Sequence, residues 1–154
     1  MFAAVAQTPA VQSLRQRVEQ GGAWSCAGVS RAAQPFLAVL LRQLFPARPI
    51  VVVTEGLKTQ ESFQQDIETW GRFGDLKSEI SNFKSLFYPA WEILPHESKL
   101  PHADVISERL ETLVALTLFT GSKLKTPNPE APSIVTSVAA LLQRTFPADA
   151  ISPL

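Results

Sequence analysis

The chain has 154 residues, the size of one domain; its hydrophobic content of 45% and charged content of 18% exclude a disordered chain. Its 14 acidic and 14 basic residues cancel, so no overall positive field attracts nucleic acid. The single cysteine, Cys26, cannot form an internal disulfide, and we expect it to be a small buried core residue in a reducing cytoplasm. No apolar stretch is long enough to cross a bilayer, and residues 1–7 lack the features of a signal peptide, which predicts a soluble cytoplasmic protein.

The N-terminal pattern predicts a helix followed by a strand. Thr8 is a suitable N-cap and Pro9 fits the first helical position, so we expect a helix to about residue 20, ended by the glycine pair 21–22. Residues 23–29 are an apolar run and predict a strand.

A second helix and the clearest strand of the chain follow. Residues 34–45 have helical periodicity, and Pro35 is tolerable there because it falls in the first turn, where the missing amide loses no hydrogen bond. Residues 50–53 are a continuous β-branched run of the kind that a parallel sheet buries on both faces. The next helix, at about 58–71, has a buried stripe formed by Phe63, Ile67 and Trp70.

The second half of the chain continues the alternation of strands and helices. Short strands are predicted at 86–88 and 134–135, and a weaker strand signal lies near Ile80. Asp104 is expected to cap a helix that extends to about residue 120, with a buried face formed by Ile106, Leu110, Leu113 and Thr117.

Loops rich in proline separate these elements at 89–101 and 123–132, and a last helix is expected at 137–144. Residues 148–154 end without a closing element, which indicates a cut inside a longer protein. The alternation predicts an α/β domain with a parallel sheet flanked by helices on both faces.

The segment from Gly28 to Pro35 has the layout of a phosphate-binding loop, because it joins a predicted strand to a helix. The motif G-x-x-x-x-G-K-[ST] needs glycines whose backbone amides surround the phosphates, a lysine for the β- and γ-phosphates and a hydroxyl for Mg²⁺. Aligned on Gly28, the second glycine is Ala33, the lysine is Gln34 and the hydroxyl is Pro35. The segment fits either a nucleotide site that has lost its chemistry or an ordinary turn into a helix.

Two later segments resemble a known family. Residues 87–97 read FYPAWEILPHE, and residues 101–110 read PHADVISERL. They are similar to the pattern F-P-x-W-E-x-L-P-Y-[ED], then S-P-H-x-D-[IV]-[IV]-S-x-R-L, of bacterial transcription-repair coupling factors, with His96 where the family usually has tyrosine. Residues 134–144 resemble the next block of the same module, and the resemblance spans roughly residues 23–147. The matching motif residues are Trp91, Glu92, Pro95, Pro101, His102, Asp104, Ser107 and Arg109.

The resemblance implies the first part of a coupling factor's N-terminal module. That module is similar to domain 1a of UvrB, the damage-recognition helicase of nucleotide excision repair, which implies a P-loop helicase (RecA-like) fold. In UvrB the strand-to-helix turn is a working P-loop, G-V-T-G-S-G-K-T, of which residues 28–30 match only the start. The coupling factors are known for this loss and hydrolyse ATP in a separate motor. No catalytic residue, cofactor or metal is therefore expected in this chain.

Residues 1–147 would then form a degenerate UvrB-like domain, and residues 148–154 would begin the connection to a following domain. The related helicase also carries a long β-hairpin that wedges between DNA strands, and the stretch from Trp91 to Asp104 is too short for it. The partners implied are the other domains of the same full-length protein, a UvrA-type repair subunit reached through a neighbouring domain, and RNA polymerase and DNA reached through the rest of the full-length protein. No membrane partner is implied.

Other candidate sites have simpler interpretations. His96 and His102, with Glu97 and Asp104, are irregularly spaced for zinc, and the prolines among them explain the segment as a rigid loop. Glu92 and Glu97 have no neighbouring nucleophile or oxyanion donor, which argues against acid–base catalysis.

Glu108 and Arg109 are expected to be exposed or interface charges. Trp91 is either a core anchor or an exposed contact for a partner, and the anchor is favoured because aromatic residues carry large burial energies. The scattered cations are expected to be ordinary surface residues: Arg42, Arg48, Lys77, Lys84 and Arg144.

These observations and the resemblance predict a non-catalytic scaffold for the repair-subunit-binding module of a larger protein. By resemblance, that protein is an ATP-dependent DNA translocase that displaces stalled RNA polymerase and recruits nucleotide excision repair. Two alternatives stay open: a nucleotide-binding fragment of a UvrB-like repair helicase, and a free-standing protein-interaction domain.

Overall fold

A computed structural model of the protein describes residues 1–74, 85–93, 96–120 and 131–151. In these ranges three parallel strands, β1 (Ile50–Thr54), β2 (Ser85–Tyr88) and β3 (Ser133–Ser137), form a sheet in the order β1-β3-β2. Every residue of β3 is buried because this strand is the central one.

The helices are α1 (Phe2–Ala6), α2 (Pro9–Gln20), α3 (Gln34–Leu44), α4 (Leu57–Gly74), α5 (Ala103–Thr120), α6 (Val138–Leu142) and α7 (Ala148–Ile151). A single 3₁₀ turn at Arg31–Ala33 leads into α3.

Two apolar clusters lie on opposite faces of the sheet, because successive residues of β3 point to opposite sides. Val135 and Val52 belong to the first cluster, which also contains Phe2, Ala38, Val39, Leu40 and Ile67. Ile134 belongs to the second cluster with Tyr88 and Ala140, and residues of α5 pack against it. The predicted α/β layout, a parallel sheet flanked by helices, is confirmed for a sheet of three strands in the described residues.

Several local predictions are also confirmed. Thr8 precedes α2 in an extended conformation, and α2 ends where Gly21 and Gly22 adopt φ values of +75° and +98°, which residues with a side chain rarely adopt. Pro35 lies in the first turn of α3, and the stripe of α4 packs on the first cluster through Phe63, Ile67 and Trp70.

Residues 23–29 are not the strand that their apolar pattern predicts. They connect α2 to the 3₁₀ turn, and Trp24 is half exposed. Cys26 is exposed as well, so its prediction as a core residue was wrong. A strand needs a neighbouring strand for its backbone amides and carbonyls, and none of the described residues pairs with this segment.

β1 is buried on one face only, contrary to the prediction. Val52 packs into the first cluster, whereas Val51 and Val53 are 51% and 48% exposed. β1 lies at the edge of the sheet, and the long helix on the second face, α5, contacts β2 instead.

α5 differs from its prediction in two ways. It begins at Ala103, so Asp104 lies in the first turn and is not the cap; there its carboxylate interacts favourably with the helix dipole. The residues buried most deeply are Val105, Arg109 and Thr112, whereas the predicted face is half-buried. The helix is oriented by β2, since Thr112 Oγ1 donates a hydrogen bond to the Phe87 carbonyl at 3.1 Å.

The C-terminal predictions were partly wrong. α6 ends at Leu142, earlier than the predicted residue 144, and α7 adds a helical turn where no element was expected. The strand signal near Ile80 and most of the loop at 123–132 lie outside the described residues.

Gln60 connects α4 to two strands, and its replacement tests this connection. Its Nε2 donates to the carbonyls of Tyr88 (3.1 Å) and Val135 (3.0 Å), and the side chain is fully buried. We expect Gln60→Ala to lower the free energy of unfolding in urea by about 1–3 kcal/mol, because buried carbonyls lose a donor. Gln65→Ala, on the exposed side of the same helix, should change it by less than about 0.5 kcal/mol. Equal effects of the two changes would contradict this role.

Candidate functional site

A cleft of about 780 Å³ lies at the carboxyl end of β1, between the start of α3 and the N-terminal half of α4. Ligands of open α/β sheets commonly bind beyond the carboxyl ends of the strands. The lining residues include Arg31, Gln34, Pro35, Thr54, Glu55, Lys58 and Thr59. The segment that resembles a phosphate-binding loop therefore reaches the cleft through its last residues.

The loop residues themselves offer little to a phosphate. Gly28 is exposed, and nothing lies within 4 Å of the position that a Cβ would occupy there. Ala33 is half-buried, Gln34 is the exposed first residue of α3, and Pro35 is buried. An amide and a pyrrolidine ring thus stand where the motif requires an ammonium group and a hydroxyl.

An ion pair crosses the mouth of the cleft. Arg31 Nη2 lies 3.2 Å from Glu55 Oε1, and Thr59 Oγ1 donates to the same oxygen at 3.2 Å. Both charged side chains are largely exposed, so water screens the pair and it stabilises the fold little. An anion that entered the cleft would compete with Glu55 for Arg31.

The motif residues Trp91 and Arg109 form a cluster with Tyr88, Pro89 and the backbone carbonyl of Arg144, called the Arg109 cluster below; Arg109 and Tyr88 are buried, Trp91 is half-buried and the Arg144 side chain is exposed. The Arg109 Cζ lies 4.2 Å from the ring centroid of Tyr88 and 4.2 Å from that of Trp91. Arg109 Nη1 donates to the Pro89 carbonyl at 2.6 Å, and Nη2 donates to Tyr88 Oη at 2.7 Å and to the Arg144 carbonyl at 3.4 Å.

Arg109 is fully buried, so its prediction as an exposed or interface charge was wrong. Among the described residues, no carboxylate lies within salt-bridge distance of it, and its Nε has no hydrogen-bond partner. Burial lowers the pKa of Arg109, and the charge is accommodated by two aromatic faces and by carbonyl oxygens. Charged residues are rarely buried without a partner of opposite charge, which is why sequence reasoning placed it at the surface. The available signal was the aromatic pair Tyr88 and Trp91, which flanks a proline.

Trp91 is a half-buried anchor and not a bare surface contact. Its Nε1 donates to the Arg144 carbonyl at 3.1 Å, while Gln143 Nε2 donates to the Trp91 carbonyl at 3.2 Å and Gln143 Oε1 accepts from the Trp91 amide. The loop after β2 is thereby tied to the segment after α6.

The other described motif residues do not form a cluster of reactive or metal-binding groups. Glu92, His102, Asp104 and Ser107 are exposed, Pro101 is half-buried, and Pro95 lies outside the described residues. His102 Nδ1 lies 3.3 Å from Asp104 Oδ2. His96 and Glu97 are exposed, and the described part of the chain contains no group of three or more His, Cys, Asp or Glu residues placed to hold a metal ion.

No family model, curated protein or solved structure matches this chain. Within the described ranges, no helix combines the length and the apolar character needed to cross a membrane.

The Arg109 cluster predicts that lysine cannot replace Arg109. Lysine keeps the charge but loses the planar fork that reaches Pro89 and Tyr88 together and stacks between two rings. We expect Arg109→Lys to lower the free energy of unfolding by about 2–3 kcal/mol, the contribution of a hydrogen bond from a charged group or slightly more. Arg72→Lys, an exposed position on α4, should change it by less than about 0.5 kcal/mol. Similar losses for both variants in urea denaturation would contradict the assigned role.

The raised pKa of Glu108 predicts that the stability of the fold depends on pH. Partial burial, followed by the nearby carboxylates of Asp104 and Glu111, raises the pKa of Glu108 from 4.5. The folded state therefore binds a proton more readily than the unfolded state, and stability falls as the pH rises from 4.5 through the folded-state pKa. Glu108→Gln should raise the free energy of unfolding at pH 7 by about 0.2–0.5 kcal/mol for each like-charge pair removed, and by less below pH 4.5. Thermal denaturation at both pH values measures this difference, with exposed Glu92→Gln as the control; an equal gain at both pH values would contradict the assignment.

Proposed function

We propose that this chain is a catalytically silent α/β domain and serves as a scaffold within a transcription-repair coupling factor. The observation that carries the proposal is the Arg109 cluster. Trp91 and Arg109, two of the motif residues that resemble the family, are packed together with the end of β2. This supports a structural role for the motif, in which it holds the loop after β2, the helix α5 and the segment after α6 in fixed positions.

The segment from Gly28 to Pro35 supports the proposal that the domain is catalytically silent. A parallel sheet with a cleft at the carboxyl end of β1 is compatible with a P-loop helicase layout of the UvrB type. Gln34 and Pro35 stand at the start of α3, where a working loop would supply a lysine and a hydroxyl. The β- and γ-phosphates and Mg²⁺ would lack their usual protein ligands here.

In the proposed whole protein, a separate motor hydrolyses ATP, displaces stalled RNA polymerase from DNA and recruits excision repair in the cytoplasm. The UvrA-type repair subunit binds a neighbouring domain, and the present domain supports that neighbour and helps to hold the resting protein closed. The net charge of zero fits a domain whose contacts are with protein more than with DNA.

A nucleotide-binding fragment of a repair helicase is the second candidate, and the cleft favours it. Its volume of about 780 Å³ is within the range of ligand pockets, and Arg31 and Lys58 line it. These two cations could face phosphates only if Arg31 exchanged its contact with Glu55 for the ligand.

Calorimetric titration with ATP and Mg²⁺ distinguishes the two candidates. The silent scaffold predicts no binding in the micromolar range, because the site lacks the lysine and hydroxyl ligands. Micromolar binding that is lost in Lys58→Ala would place a nucleotide in the cleft and overturn the proposal. Exposed Lys99→Ala is the matched control and should behave as the wild type does.

The size of the native protein tests membership of a coupling factor. An antibody raised against this chain should detect, in an extract of the source cells, a protein several times larger than 16.9 kDa. A band at 16.9 kDa would favour a free-standing interaction domain instead.

A further inference from the structure

The outer edge of β1 pairs with no strand in the part of the chain that the structure describes. Within the described ranges β1 pairs with β3 alone, so its other edge faces no strand. An open edge presents a row of N–H and C=O groups that another extended chain can pair with, and proteins usually block such edges with charge or proline. The strand sequence IVVVT contains neither. Arg48 and Pro49 lie only at its start, so the strand itself carries no charge or proline that would prevent pairing.

The side chains beside this edge are mostly apolar on the second face of the sheet. Val51 and Val53 point to this face, and Val51 lines a mostly apolar cavity of about 250 Å³ there. Val52, on the opposite face, lines the large cleft together with charged side chains such as Arg31 and Glu55. Val51, Val53, Val138 and Leu141 are each about half exposed. A strand added beside β1 would cover Val51 and Val53 while it completed the backbone ladder.

We propose that the occupant of this edge is a second copy of the chain, paired antiparallel through β1 about a two-fold axis at Val52. A strand that pairs with itself about such an axis presents the same patch on both sides, so each apolar surface meets its own copy. In this register Ile50 lies opposite the partner's Thr54.

The charges at the two ends of β1 suit this register. Arg48 precedes the strand and Glu55 follows it, and both are exposed. Within one chain Glu55 pairs with Arg31 and Arg48 donates to the Val18 carbonyl at 3.3 Å, and these exposed contacts are weak enough to be shared or exchanged. Antiparallel pairing about Val52 brings Arg48 close to the partner's Glu55, and the two-fold axis repeats this contact of opposite charges at the other end. The net charge of zero adds no long-range repulsion between the copies.

Light scattering during size-exclusion chromatography tests the pairing. We expect the wild type to approach twice the mass of one chain, 16.9 kDa, as its concentration is raised. The double variant Val51→Lys, Val53→Lys should stay monomeric, because it adds charge at an edge where both side chains are already half exposed. Leu100→Lys, at a residue that is 90% exposed and lies outside the sheet, should dimerise as the wild type does. A wild type that stays monomeric, or a dimer that the double variant does not disrupt, would overturn the proposal.

Disulfide trapping tests the register, with Cys26→Ser removing the exposed native thiol. On that background Val52→Cys should form an interchain disulfide under mild oxidation, because the two-fold axis places this residue opposite itself. Leu100→Cys should give no comparable crosslink. A dimer in which Val52→Cys does not crosslink above this control would rule out pairing about Val52.

Discussion

The burial of the Arg109 guanidinium constrains the second face of the sheet. A charge that is removed from water must find compensating contacts, and in the described residues it finds two aromatic faces and three oxygen acceptors. These partners come from the end of β2, the loop after it and the segment after α6. One side chain of α5 therefore determines how three separate parts of the chain pack together. A guanidinium suits this position because it is flat enough to stack and has donors pointing in several directions.

Gln60 has a related role on the other face. It is buried on α4, and its amide reaches the carbonyls of Tyr88 and Val135. Tyr88 also accepts a hydrogen bond from Thr136 Oγ1, so the end of β2 is held from β3 and from α4. Polar contacts inside an apolar core thus fix the carboxyl ends of β2 and β3. The cleft lies at the same edge of the sheet, at the carboxyl end of β1.

The scaffold role that we propose depends on how residues are positioned more than on reactive groups. The cleft lies where α/β proteins commonly bind ligands, yet Gln34 and Pro35 occupy the positions that a phosphate-binding loop needs for its chemistry. Of the described residues that resemble the coupling factors, Trp91 and Arg109 pack together, and the others are exposed or half-buried outside that cluster. The proposed scaffold is consistent with both observations, and the outer edge of β1, which pairs with no strand in the described residues, is the surface through which we propose that a second copy binds.

The sequence by itself determined the elements whose signals are local. Pro9 and the glycine pair defined α2, the apolar stripe defined α4, and three short strands followed from β-branched and aromatic runs. Their alternation with helices was enough to predict a parallel sheet. The missing lysine and hydroxyl of the loop segment could also be read directly from Gln34 and Pro35.

Only the tertiary structure decided which of these residues have neighbours. Residues 23–29 carry a strand pattern, but in the described part of the chain no strand lies beside them. The run at β1 looked buried on both faces, and its place at the edge leaves Val51 and Val53 exposed. Arg109 looked like a surface charge, because nothing local shows that two aromatic rings and distant carbonyls surround it. Periodicity and capping act within a few residues, whereas burial and strand pairing depend on contacts between residues far apart in the sequence.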